Sequence, residues 1–322
     1  GILAMPQPLS RRLQPYICLV SAVILLSSIT PVMKYLFQHT DVRPIGMAGI
    51  RVAIGFAVLL GMSLVKERRA LLSLAPRDLM QLSFVGSLGV LSYGLAAWGL
   101  LYTSVIHYIL IYGLLPSFTA LFSFLMGKEQ VRALKILGIV IAFLGCGVSI
   151  SEGFDGTWHT FGLGESLVLL FTIAMSAHIV LSTGLVRQLG VMTSNTVMFG
   201  TSACALLVWA VASEETILVP VSLTTMSLML YMGAATAAVF FLRALSLQSL
   251  TPLTVGTFHH LVPVCAIAFA YLFLTEPIDM HTMIGAAIIL TGTECVRRGT
   301  RSEQCLTPRY VTLGVQPQRT SS

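Results

Sequence analysis

The charged residues of this chain fall into short clusters, and between the clusters run long stretches that carry almost none. That spacing constrains the fold more than any other feature. A helix rising 1.5 Å per residue needs about 20 apolar residues to cross roughly 30 Å of hydrocarbon. Inside hydrocarbon every backbone polar group must find a partner within the protein, so only helices and closed barrels span it. The alternation of barrel strands is missing from these stretches. They predict an all-α integral membrane protein with ten transmembrane helices, at roughly 16–37, 44–65, 78–102, 105–126, 133–151, 162–186, 193–213, 223–246, 251–274 and 279–297.

Composition closes off the soluble alternative. Only 10% of the 322 residues are charged, 56% are hydrophobic and the mean hydropathy is +0.87, whereas a soluble domain carries about 25% charged residues. The connections are too short to hide a soluble domain. From residue 299 to 322 the chain turns rich in Ser, Thr, Gln, Pro and Arg, the composition of a disordered tail. The first apolar run, YICLVSAVILLSS, follows Arg11 and Arg12 as a signal peptide would, but no small-residue cleavage pattern follows it and nine further runs do. It reads as the first span.

A net charge of +6 could point to nucleic acid, but the distribution points to a bilayer. With the N-terminus inside, all of the 19 Lys and Arg except Lys34, Arg43 and Arg51 fall on the cytoplasmic side. The outer loops carry Asp41, Glu152, Asp155, Glu214, Glu215, Glu276 and Asp279 instead. This is the positive-inside pattern. It predicts a multi-pass protein of the cell inner (plasma) membrane with both termini cytoplasmic; whether it pairs as a homodimer is left open. The six cysteines show neither CxxC nor metal-ligand spacing and read as small packing residues. No metal or cofactor is implied.

The stretch LLPSFTALFSFLMGKE, Leu114 to Glu129, recurs as LVPVCAIAFAYLFLTE, Leu261 to Glu276. Pro116 and Pro263 are 147 residues apart, as are Glu129 and Glu276. The same offset pairs Ala97 with Ala244, Leu100 with Leu247, Phe122 with Phe269, Leu125 with Leu272, Gly138 with Gly285, Ile141 with Ile288 and Gly145 with Gly292. The register covers spans 3–5 against spans 8–10, dividing the chain into five-helix repeats at 1–151 and 152–298. A repeat with an odd number of crossings enters the membrane from opposite sides in its two copies, so Glu129 belongs inside and Glu276 outside. Inverted repeats of this kind mark secondary transporters, which rock one half against the other around a midplane site. Duplication kept only for packing is the plainer alternative.

At these blocks, Pro116–Glu129–Gly138 and Pro263–Glu276–Gly285, the chain resembles the drug/metabolite transporter superfamily, specifically its ten-span EamA-type branch. The resemblance also rests on PIGMAGIRVAIGFAVLL at Pro44–Leu60, which includes Arg51, and on GLGESLVLL from Gly162, which includes Glu165. The family's first span commonly holds a tryptophan and a glycine; here it reads ILLSSITPVMKYLF. The resemblance implies a transporter rather than an enzyme, an exporter of small metabolites such as amino acids, working by alternating access without a cofactor.

Polar groups at membrane depth are costly, so each is a site candidate. Lys34 and Arg243 lie near span ends, where snorkelling accounts for them; Arg51 is deeper, and reads equally as a structural pair or a substrate-facing cation. His259 and His260 fall about 12 Å into span 9, His178 is mid-span in span 6, and His107 lies close enough to an end to hydrogen-bond there. Pro263 cannot donate to the His259 carbonyl, nor Pro116 to that of Tyr112, so each proline leaves a carbonyl beside a polar ring on a bendable helix. Pro116 and Pro263 are therefore the gating hinges expected. Tyr93, Trp98, Tyr108, Tyr112, Phe240 and Phe258 complete a candidate wall suited to a solute with an apolar or aromatic body.

No carboxylate lies deep in a span; Glu152, Glu165 and Glu294 are near ends. Proton exchange on a first-span glutamate, as in small multidrug relatives, is therefore disfavoured, leaving a titrating histidine or uncoupled transport. An organic-phosphate or nucleotide-sugar exchanger is the runner-up, with Arg51 and Lys34 as its cations. A non-transporting membrane enzyme or scaffold is the alternative of another class, but neither an HExxH nor a P-loop spacing occurs.

Overall fold

A computed structural model describes residues 9–127, 133–150, 162–215, 222–247, 258 and 261–306. Among them there are helices and no strands. They are α1 (Leu9–His39), α2 (Pro44–Lys66), α3 (Arg68–Leu72), α4 (Pro76–Tyr102), α5 (Val105–Tyr112), α6 (Leu115–Leu125), α7 (Ala133–Ile150), α8 (Leu163–Leu189), α9 (Val191–Ala212), α10 (Leu223–Leu247), α11 (Leu261–Leu274) and α12 (Met280–Leu306). Seven segments are long and apolar enough to cross a bilayer, with α5 and α6 together counting as one; Ala133–Ser149 and Leu261–Leu274 are shorter apolar helices.

Local chemistry sets the helix ends. α2 and α4 begin on Pro44 and Pro76, whose missing N–H costs nothing in a first turn. Ser104 opens α5 by accepting the His107 backbone N–H at 3.0 Å. Gly190, at φ 90°, turns α8 directly into α9. At the far end α12 runs on to Leu306, past residue 297 where the tenth span was expected to stop. Glu294 clamps Arg297 and Arg298 one turn on, at 2.6 and 2.7 Å, and so continues the helix beyond its apolar stretch.

The helices pack in matching sets. α4 packs on α8 and α9, while α10 packs on α1 and α2; α6 packs on α8, while α11 packs on α1. Two further pairs pack closely, α2 with α9 and α7 with α12. α7 and α12 approach closely because glycines face glycines. A Cβ on Gly138 would lie 2.6 Å from the Gly292 carbonyl oxygen, and one on Gly145 2.9 Å from that of Gly285. Small residues at crossings are how membrane helices gain contact when lipid supplies no hydrophobic drive.

The main core lies where α2, α4, α5, α9 and α10 converge, and includes Met47, Val52, Leu100, Ile111, Leu206 and Met232. Large apolar side chains also cover the outside: Val65 is 85% exposed and Phe273 71%. A surface of that kind needs lipid around it.

Candidate functional site

Arg51 projects from α2 two turns after its start and donates through Nε to Thr236 Oγ1 of α10 at 3.3 Å. Thr236 in turn donates to the Met232 carbonyl at 2.7 Å, so the hydroxyl is fixed as an acceptor for the arginine. The guanidinium carbon lies 5.8 Å from the centre of the Tyr93 ring on α4, a cation–π distance. Using Nε on the scaffold leaves the outer fork of the guanidinium pointing away from Thr236. Arg51 is only half-buried.

Two banks of aromatic rings flank it. Tyr93 tilts against Phe199 of α9 at 5.7 Å, and Phe199 meets Phe240 of α10 edge-on at 5.3 Å. Tyr108 and Tyr112 of α5 stack on Phe171 of α8 at 5.6 and 5.5 Å, the second pair only 4° from parallel. Tyr108 and Tyr112 both lie within electrostatic reach of Arg51. Tyr112 is also within reach of Arg243, two helical turns beyond Thr236 on α10.

Of the residues the sequence singled out, Arg51, Tyr93, Tyr108, Tyr112 and Phe240 thus come together. Phe171, Phe199, Thr236 and Arg243 join them without having been expected. Arg243 is three residues from Phe240 and seven from Thr236, so the face of α10 already carrying Phe240 could have pointed to it.

The other candidates sit elsewhere. His178 Nδ1 lies 3.0 Å from the Val85 carbonyl oxygen of α4, an interhelical hydrogen bond beside the small cluster of Leu82, Val85 and Met198. Trp98 is 38% exposed and meets Trp209 edge-on. Phe258 has its ring 6.2 Å from that of Tyr16. His259 and His260 lie outside the described residues.

The fourth span breaks where proline was expected to bend it. α5 ends at Tyr112, Gly113 and Leu114 form a turn, and α6 restarts with Pro116 in its first two positions. Gly113 is required there, because a Cβ would come within 2.9 Å of Ile289 Cγ2 on α12. Pro263 lies in the first turn of α11. Both prolines line one apolar cleft of about 70 Å³, together with Tyr112, Gly113, Val262 and Ile289. Tyr112 therefore borders both the cleft and the arginine group. Ser27 of α1 donates to the Val262 carbonyl at 3.1 Å, holding the start of α11.

At the end expected to face outward, carboxylates from residues 162–297 bind donors from residues 13–151. Glu276 accepts the Val105 and Ile106 backbone N–H groups at 2.9 and 3.1 Å, capping α5. Glu165 accepts the Thr103 hydroxyl at 2.5 Å and lies 3.4 Å from His107 Nδ1. Glu215 accepts the Gly46 N–H at 2.8 Å, capping α2. On the opposite side of the α4–α5 joint, Lys34 donates to the Leu100 and Thr103 carbonyls at 2.9 and 2.6 Å. Lys34 was expected to snorkel; instead it answers the negative end of α4. Thr275 and Glu214, immediately before two of the clasping glutamates, hold φ at 53° and 54°, which is strained for residues with a Cβ. At the other end Glu67 accepts the Thr193 N–H and hydroxyl at 3.2 and 2.9 Å, capping α9.

The sequence matches the model of the EamA-like transporter family twice, over residues 13–151 and 162–297. It is 25% identical over 285 residues to an uncharacterized transporter of Clostridium kluyveri, covering 86% of this chain and 91% of that protein. It is 24% identical over 292 residues to the uncharacterized transporter YyaM of Bacillus subtilis, covering 88% and 93%. A solved crystal structure superimposes with a TM-score of 0.63 at 16% identity, covering 90% of this chain and 98% of that one.

Proposed function

The chain belongs to the EamA-like transporter family, and on that premise we propose that it is a secondary transporter exporting small metabolites, amino acids among them, by alternating access. It is a membrane protein of multiple apolar helices. The family and the relatives are transporters rather than enzymes.

The observation that carries the mechanism is the cross-half pattern of contacts. The family model matches two consecutive segments, and Gly138 meets Gly292 while Gly145 meets Gly285. Under the 147-residue offset these are the same contact seen twice, the self-complementary pairing a two-fold axis gives. The matching sets α4–α8 and α10–α1, or α6–α8 and α11–α1, follow the same rule. This supports ten spans arranged as two inverted five-helix repeats, with α5 and α6 as the fourth span and α11 within the ninth. In this reading the inner membrane holds the chain with both termini cytoplasmic, and the clasps of Glu165, Glu215 and Glu276 close the outer end in the present conformation. The apolar cleft between Pro116 and Pro263 lies where the two halves would flex.

A second reading, an exchanger of organic phosphates or similar anions, is favoured by one observation: Arg243 joins Arg51 beside Tyr112.

Two measurements test the proposal. Single cysteines at Thr157 and Glu214 should react with an impermeant thiol reagent from outside intact cells, and one at Arg68 should not; labelling at Arg68 would overturn the topology. Purified protein in liposomes should give saturable flux for at least one class in a panel of amino acids, aromatic acids and phosphate esters. Flux at the leak rate for every class would remove the transporter reading.

A further inference from the structure

Arg51 and Arg243 bring two positive charges to one aromatic-walled region, and the described residues supply no carboxylate against either. Five glutamates among the described residues are engaged elsewhere. Glu67, Glu215 and Glu276 cap helix starts, Glu165 is bound by Thr103, and Glu294 is clamped by Arg297 and Arg298. Nor does the sequence place any acid at mid-span. What surrounds the arginines is instead the Thr236 hydroxyl, the hydroxyls of Tyr93, Tyr108 and Tyr112, and ring faces. Hydroxyls and π-faces stabilise a cation partially; they do not neutralise it. Even half-buried, a cation at membrane depth without a counter-charge is costly to keep, and a pair of them is a site waiting for an anion.

We propose that the substrate is an organic anion with a flat aromatic or apolar body and no cationic group, its acidic end held by Arg51 and Arg243 and its body between the two banks of rings. The inference rests on the transporter reading above and narrows it, setting organic anions in the place of amino acids as the substrate class. Geometry supports the Arg51 end and the aromatic walls. Arg51 has its Nε on Thr236, leaving the outer fork free for the two-pronged grip that carboxylates and phosphates fit. Arg243 sits seven residues, about 10.5 Å of helix rise, beyond Thr236 on α10, so α10 carries both the hydroxyl that holds Arg51 of α2 and the second cation. Tyr112 bridges the two ends, in reach of both arginines and stacked on Phe171.

The exclusion of a cationic group follows from the same inventory. A zwitterionic amino acid would bring an ammonium group into a region holding two arginines and no carboxylate. The like charges repel, and the ammonium finds only hydroxyl and carbonyl oxygens. An amine without a carboxylate fares worse. An acid of the same shape with a hydroxyl in place of the ammonium loses nothing.

Three probes with one phenyl body separate these cases: phenyllactate, an anion; phenylalanine, a zwitterion; and phenethylamine, a cation. Thermal unfolding of the purified full-length protein, titrated with each, reads binding independently of transport. Phenyllactate should bind about tenfold more tightly than phenylalanine, and phenethylamine should not register. Arg51→Gln and Arg243→Gln should each weaken phenyllactate about tenfold, the loss expected for a charge-assisted contact, while Arg51→Lys and Arg243→Lys should recover part of it. If a Gln variant does not fold, the Lys variant at that position and the Gln variant at the other still decide the matter. Binding of phenylalanine or phenethylamine equal to or tighter than phenyllactate overturns the inference. So does no binding of any probe, or phenyllactate binding that survives both Gln substitutions. Flux of the same probes in liposomes separates the two readings. Movement of phenylalanine but not phenyllactate sinks the anion inference and leaves the transporter standing. Binding of phenyllactate without flux of any solute does the reverse.

Discussion

Replacing Glu276 by Ala would remove the clasp between the turn before α12 and the start of α5, and its two consequences can be separated. Glu276 accepts from Val105 N and Ile106 N at 2.9 and 3.1 Å. A hydrogen bond to a charged group contributes about 1.5–3 kcal/mol net. The carboxylate is only half-buried, so the lower end applies, and the pair amounts to about 2–3 kcal/mol including its favourable place at a helix N-terminus. Glu276→Gln keeps one acceptor but turns an amide donor toward a backbone donor, and should lose about half. If the clasp forms only when the outer end is closed, the loss falls on one conformation, and about 2–3 kcal/mol moves the population by about 30- to 150-fold toward the open one. The reporter is a cysteine at Ile106, buried beneath the clasp, in a background with the six native cysteines replaced. Labelling by an impermeant thiol reagent should quicken by that factor in Glu276→Ala and less in Glu276→Gln, while the melting temperature falls little. A full loss of thermal stability with unchanged labelling would show a fold cap and not a gate. No change in either would refute the energetics.

Two further substitutions test the rest of the architecture. Gly285→Ala would place a Cβ against Ser149 Oγ and 2.7 Å from the Gly145 carbonyl oxygen, an overpacking cost of about 1–3 kcal/mol that outweighs the helix-propensity gain; Gly147→Ala, with nothing within 4 Å, is the control that should be neutral or stabilising by thermal melt, and equal behaviour of the two would discount the glycine crossing. Pro116→Ala should leave stability nearly unchanged, since Pro116 starts a helix where its lost donor costs little, yet lower flux per folded molecule because α5 and α6 could fuse across Gly113; Pro263→Ala should also lower flux, and unchanged normalised flux in both would remove the hinge role.

The seven long apolar segments and the two shorter ones were legible because charge marks helix ends whatever the tertiary structure does. The break at Gly113–Leu114 was legible too, because proline removes a donor at a fixed position. The 147-residue offset located the glycines of α7 and α12 before their contact was visible. Depth along a helix was a poorer guide than its face. Arg243 read as a residue near a span end, and only its spacing from Phe240 and Thr236 carries the information that it turns inward. His178 shows the opposite failure. It lies mid-span, yet the Val85 carbonyl satisfies it, and no sequence pattern marks a histidine that has a backbone acceptor waiting. Caps across the two halves were invisible for the same reason: the partner of Glu276 is a pair of N–H groups that every residue but proline possesses.

The placement of the acids links the gate to the site. In lipid an unpaired carboxylate is no cheaper than an unpaired arginine, and the described glutamates meet that constraint at the rims, where Glu276 and Glu215 find the exposed N–H groups and positive dipole of a helix start. Each such cap ties one half to the other and also removes a negative charge from the interior. The arginines rooted on α2 and α10 are then left facing tyrosine hydroxyls and rings, and the interior stays positive while the outer clasps hold. An arriving anion supplies the charge the caps took away. It also bridges α2 and α10, which come from different halves of the chain, so its binding energy acts on the relative position of the halves. A neutral or zwitterionic solute of equal shape would fill the same rings without that leverage, because a ligand shifts a two-state equilibrium only by its difference in affinity for the two states. Transport of an anion through this site should therefore depend on Arg51 and Arg243 together with the clasps. Combining Glu276→Ala with Arg243→Gln should give effects on flux that do not add, whereas strict additivity would mean that the two ends of the molecule work independently.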